Sequence, residues 1–252
     1  MKIGGKDLKR ISKQFLLISF ILGYLCFGII AYSNIIFNDI FYSPIYLSLF
    51  ILGFLSPFIA TIIVFTSNKD RLGGIRGLIN NFKTIRSRKA IMLILIFFFS
   101  HYGLGILLKN VYIQENIGRF VLYLPTMILL IGSQEIGWRR IVQPTFEENR
   151  GYLKSIIITG LFWSLWFLPL IFIRGFMVLP QFFTQFAAYL VGISALLTSL
   201  YKASGSILYC TLLSGLIFAL APIVVFKQNF VLVFIAILEI IIGNIFKDKN
   251  FH

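Results

Sequence analysis

A chain of 252 residues with 58% hydrophobic and only 13% charged residues falls well outside the soluble class, where about a quarter of residues are charged. Its repeated apolar runs of spanning length exclude a soluble globular protein and imply an all-α, polytopic membrane protein. The formal net charge of +14 does not indicate nucleic-acid binding, because the basic residues sit between the apolar runs and form no continuous face.

A spanning helix needs about 20 predominantly apolar residues, and about eight transmembrane helices can be marked at that scale. They cover roughly 15–37, 43–66, 90–108, 119–137, 155–173, 182–200, 205–226 and 229–246. The gaps leave no room for a soluble domain, so 1–252 reads as a single membrane domain without internal repeats. The first run follows Lys2, Lys6, Lys9, Arg10 and Lys13. It is too long for a signal peptide and lacks a small-residue cleavage site, so it reads as an uncleaved signal anchor. Cys26 and Cys210 lie in separate apolar runs and imply small core residues, with no disulfide framework.

The basic residues choose the orientation. With both termini cytoplasmic, 19 of the 23 Lys and Arg fall on the inside, and only Lys109, Arg119, Arg174 and Lys227 lie outside. The implied location is the cell membrane, multi-pass, in a bacterium. Residues 70–89 form a basic cytoplasmic loop in which Leu72, Ile75, Leu78, Ile79, Phe82 and Ile85 recur at helical spacing beside Arg76, Lys83 and Arg86. This segment is either a simple connector or an interfacial helix on anionic headgroups.

Polar groups inside the spans are the functional candidates, since they are costly near lipid. His101, in the third run, is expected to bond a neighbouring helix. Glu239, in the last run, must be neutral, paired or wet, and Arg139 or Arg140 is a possible partner. Pro169 kinks its helix or marks its end. The densest polar group is Gln134 with Glu135 and Arg139, at the end of the fourth run. Glu135 and Arg139 stand at i and i+4 with the acid first, the spacing of a structural ion pair anchoring the span at the interface. Gln134 points about 100° away and addresses a different neighbour.

The stretch Glu135-Ile136-Gly137-Trp138-Arg139, followed by an aliphatic pair and Gln143-Pro144, resembles the first motif of the CPBP family, the CAAX-protease and bacteriocin-processing (Abi-like) membrane proteins. Phe162-Trp163-Ser164-Leu165-Trp166-Phe167-Leu168-Pro169-Leu170 resembles the second motif, an aromatic residue and a histidine four apart. Gly205 to Ser214 resembles the lead-in to the third. The resemblance covers roughly 120–220, and the eight-span layout is also what it implies. The family's activity is intramembrane endopeptidase chemistry. Its first-motif glutamate activates water, and its histidines and asparagine surround that water, or a metal, and the oxyanion.

Aligned on those motifs, the family-site positions here are Gln134, Glu135, Arg139, Trp163, Phe167, Ser214 and Phe218. The water-activating glutamate is Gln134, the two histidines are Phe167 and Ser214, and the asparagine is Phe218. A glutamine amide has no useful basicity, and phenylalanine neither binds metal nor stabilises an oxyanion. No catalytic residue is therefore expected intact, and neither metal nor cofactor is expected. Phe167 and Phe218 are expected to fill a water-bearing cavity with aromatic surface. Retained are Gly137, Trp138, Arg139, Pro144, Pro169 and Gly205.

Three readings follow. The first is a pseudoprotease, acting as a scaffold or partner-binding protein in peptide-bacteriocin immunity or envelope-protein assembly. Its partners would be the bilayer and a membrane or envelope protein or peptide. The second is an active endopeptidase with an altered site, in which Glu135, His101 and Glu239 converge on water, or in which Ser214 is the nucleophile. The third, a small transporter, is opposed by the absence of an inverted repeat and the scarcity of polar residues along the spans.

Overall fold

In lipid a backbone satisfies its own polar groups only as helix or closed barrel, and the apolar runs accordingly form helices in the computed structural model, which describes residues 5–37, 44–82, 87–173 and 180–247. The helices are α1 (Gly5–Phe37), α2 (Pro44–Ser67), α3 (Lys69–Leu72), α4 (Gly74–Phe82), α5 (Arg88–Leu107) and α6 (Phe120–Leu130). They continue with α7 (Gln143–Arg150), α8 (Tyr152–Trp166), α9 (Phe183–Ser204), α10 (Ile207–Leu220) and α11 (Val231–Phe246). Five segments are long and apolar enough to cross a membrane: Gly5–Ile36, Pro44–Ser67, Arg88–Leu107, Ile117–Arg150 and Pro180–Ser204. Tyr152–Trp166, Ile207–Leu220 and Val231–Phe246 are shorter apolar helices. The chain is an all-α polytopic membrane protein.

Its outward faces are lipid surfaces. Leu17, Ile21 and Leu25 repeat every four residues along α1 and are 58%, 50% and 58% exposed, a stripe that water would not tolerate on a monomer but acyl chains cover at no cost. Inward, Trp138, Trp163 and Trp166 are completely buried. Helix α9 is the axis of the bundle, packed on α8 and α11 and buried along most of its length. It ends at Gly205, whose φ of +64° suits the left-handed cap that closes on the Tyr201 carbonyl.

Contacts between chain-distant groups also close the two ends of the bundle. At the basic end, Arg71 pairs with Asp7, Lys202 pairs with Glu147, and the Ser87 amide donates to the Tyr209 hydroxyl. At the other end, β1 (Val111–Ile113) pairs antiparallel with β2 (Val224–Phe226), and Lys227 Nζ donates to the Lys109 carbonyl. The strands tie together two connections that the charge distribution also places on one side.

Two segments differ from the sequence expectation, and a third matches one of its two alternatives. Helix α1 begins at Gly5, well before the apolar run, because Leu8 and Ile11 give its charged first turns a buried face. The 70–89 stretch, expected as a connector or an interfacial helix, holds α4 and the end of α3, with Leu78 buried and α4 packed on α2 and α10. The parts of that prediction resting on Lys83, Ile85 and Arg86 lie outside the described residues. The 119–137 run is not one helix. After α6 the backbone tightens into a 3-10 turn at Gly132–Gln134 and then widens into a π-helix over Ile136–Val142. Pro169 marks an end and not a kink, since α8 stops at Trp166 and a 3-10 turn follows over Leu168–Phe172.

Candidate functional site

The π segment carries the first motif, and its irregular winding is where such distortions most often mark function. Gly132 and Gly137 allow it to sit where it does. A Cβ on Gly132 would lie 2.6 Å from the Thr211 carbonyl oxygen, and one on Gly137 would run into the Phe15 ring. Thr211 Oγ1 donates to the Gly132 carbonyl at 3.0 Å, pinning α10 against the turn.

Glu135 and Arg139 are both fully buried, with Arg139 Nε 2.8 Å from Glu135 Oε2. The pair faces neither solvent nor the outer surface of the bundle but is packed between helices. Its second half is held by α9: Arg139 Nη1 donates to Ser194 Oγ at 2.8 Å and to Thr198 Oγ1 at 3.0 Å. The guanidinium also lies over the Trp163 ring, 5.8 Å from its centroid. Sequence reasoning missed Ser194 and Thr198; two hydroxyl residues four apart in an apolar helix were the available signal.

Gln134 is used differently from a base. Its Nε2 donates to the Phe54 and Leu130 carbonyls, each at 2.8 Å, while Trp138 Nε1 donates to its Oε1 at 3.4 Å. Phe54 lies in the turn of α2 before Pro57, where the missing N–H and the ring loosen the backbone bonds. The amide thus clamps α6 to α2. A carboxylate, which only accepts, would face two carbonyl oxygens there.

Phe167 and Phe218 stack with ring planes 7° apart and centroids 6.5 Å apart. Trp163, Trp166, Phe54 and Phe186 enclose Phe167 edge-on or tilted. These rings do not fill the space: a cavity of about 300 Å³ remains, lined by Phe167, Phe218, Phe54, Met127, Tyr189 and other mainly apolar groups. The expected aromatic surface is present, but as a wall. Ser214 is buried and borders the Glu135 carboxylate without a well-formed hydrogen bond. Around it, Glu135 Oε1, Arg139 Nη2 and Trp163 Nε1 also lack hydrogen-bond partners. These buried polar atoms are capable of further hydrogen bonds, but the group includes no neutral nitrogen base to activate Ser214.

His101 and Glu239 form a second site. His101 Nδ1 lies 2.5 Å from Glu239 Oε1, joining α5 to α11, and its Nε2 lies 3.3 Å from the Tyr189 hydroxyl on α9. Tyr102, Tyr189 and Phe226 surround the imidazole. Gly192 makes room for the carboxylate, since a Cβ there would strike Glu239 Oε2. The partner of Glu239 is therefore His101 and neither Arg139 nor Arg140: Arg139 is taken by Glu135, and Arg140 Nε donates to Asn81 Oδ1. Of the three groups in the displaced constellation, His101 and Glu239 meet, while the hydrogen bond of Glu135 goes to Arg139. Among the described residues, no three His, Cys, Asp or Glu converge as a metal site would require.

The motif resemblance is confirmed by comparison with known proteins. Residues 115–213 match the family described as Type II CAAX prenyl endopeptidase Rce1-like. The chain is also similar to CAAX prenyl protease 2 of Methanococcus maripaludis, with 34% identity over 56 residues. That alignment spans 21% of this chain and 21% of the relative. The family match ends one residue before Ser214 and so covers neither Ser214 nor Phe218.

Proposed function

We propose that this chain is a CPBP-type membrane protein whose proteolytic centre has been lost, retained as a pseudoprotease that binds a membrane or envelope protein or peptide. The observation that carries the reading is the Gln134 clamp. Where the family places the glutamate that activates water, an amide donates to two backbone carbonyls, a role a carboxylate cannot take. Phe167 and Phe218 support it by turning the neighbouring cavity wall apolar. The preserved frame around that wall is suited to recognition: a largely apolar cavity fits an apolar peptide side chain or segment. Peptide-bacteriocin immunity and envelope-protein assembly are the roles this class of partner implies, in a bacterial plasma membrane.

Crosslinking in native membranes followed by mild-detergent co-purification tests the binding role. A stoichiometric membrane or envelope protein, or a retained peptide, supports it. Release of that partner by Phe167→Ala and Phe218→Ala would place it at the cavity. Recovery of the chain without any protein or peptide partner contradicts it. The competing reading, an active endopeptidase of the CAAX-protease type with an altered site, requires peptide cleavage that Glu135→Gln abolishes.

A further inference from the structure

The basic end contains a recess of about 290 Å³ that neither the motif site nor the apolar cavity includes, lined by Phe65, Asp70, Arg71, Leu72, Asn81 and Arg140. Two guanidinium groups face it, and each is oriented by a neighbour. Arg71 is held by Asp7 from α1. Arg140 Nε donates to Asn81 Oδ1 at 3.2 Å, while Asn81 Nδ2 donates to the Gly77 carbonyl at 2.6 Å. Asn81 thus fixes the Arg140 plane and leaves its terminal nitrogens outside any protein hydrogen bond or ion pair among the described residues. A half-buried, pre-oriented guanidinium with free terminal nitrogens is a bidentate ligand for a phosphate.

The surroundings select the source of that phosphate. Asp70 lines the recess and Asp7 neutralises Arg71, but Lys69 and Arg76 lie on the same two short helices, and Arg10 reaches Asn68 just before them. The local balance is therefore positive. On α4, Leu78 packs inward while Ile75 and Ile79, one turn apart, are 47% and 55% exposed. A basic recess at the end of a bundle of apolar helices, built partly from a helix that exposes Ile75 and Ile79 on a different face, matches the boundary between headgroups and acyl chains.

We propose that this recess binds an anionic phospholipid, with its phosphate on Arg140 and Arg71. The inference is independent of whether the motif site is active. Because Arg140 follows Arg139 directly in the π segment, lipid binding would also fix the outer face of the segment that carries the motif site.

Native mass spectrometry of the full-length detergent-purified chain tests the proposal, with phosphatidylglycerol, phosphatidylcholine and inorganic phosphate as separate probes. The expected result is retention of phosphatidylglycerol over phosphatidylcholine, falling about tenfold in Arg140→Gln. Lys154→Gln, which removes an exposed charge elsewhere at the basic end, should leave retention unchanged. Arg140→Lys keeps the charge and loses the fork, and covers the case in which the glutamine variant does not fold; it should give an intermediate loss. Equal retention of the two lipids, equal losses in Arg140→Gln and Lys154→Gln, or capture of inorganic phosphate without phosphatidylglycerol would overturn it.

Discussion

Glu135–Arg139 and His101–Glu239 are both completely buried pairs of a carboxylate and a nitrogen base, yet they are built in opposite ways. The first joins residues four apart on one segment and adds α9 hydroxyls; the second joins residues 138 apart on α5 and α11. They differ equally in chemistry. Arginine does not give up its proton, so the first pair is locked as an ion pair, and removing either member strands a charge. Histidine and glutamate can share one proton as an ion pair or a neutral pair, so the second can lose a member without leaving a charge in the interior. A pair built on arginine is thus a fixed structural element, whereas one built on histidine and a carboxylate tolerates loss of a member better.

This contrast predicts a ranking of substitutions, each read by thermal or denaturant unfolding in detergent. Arg139→Met should cost the most, about 3–5 kcal/mol, because the Glu135 carboxylate remains buried alone. The double variant Glu135→Leu with Arg139→Met should recover most of that loss; failure to recover would show that the pair does more than balance charge. Gln134→Glu should cost about 1–3 kcal/mol, since two carbonyls lose their donor. A neutral or stabilising effect would break the clamp interpretation. Glu239→Gln should cost no more than about 1.5 kcal/mol, because an amide still bonds His101 and no charge is stranded. A loss matching that of Arg139→Met would erase the distinction between the two pairs. Tyr189→Phe should be the mildest, about 0.5–1.5 kcal/mol, removing one long hydrogen bond to His101.

What the sequence revealed follows the range over which each interaction acts. The apolar runs needed only composition, and each carries helix. The Glu135–Arg139 contact needed only the four-residue spacing, and Pro169 announced the end of α8 through its missing N–H. The burial of that ion pair was not legible, because it depends on α9 supplying Ser194 and Thr198 from more than 50 residues away. The same limit hid the His101–Glu239 pair, whose members were visible as costly intramembrane groups but whose meeting depends on helix packing and on the space left by Gly192. The π segment was hidden for a further reason: no residue spacing distinguishes a π turn from an α turn, and the segment packs against α1, α2 and α10, which are distant in sequence.

The account turns on whether an amide at position 134 has replaced the base of a peptidase. The most direct measurement is peptide cleavage by the purified full-length chain in proteoliposomes, run beside Glu135→Gln. The account predicts no product above the protein-free background in either sample. Turnover by the native chain that Glu135→Gln abolishes would contradict it.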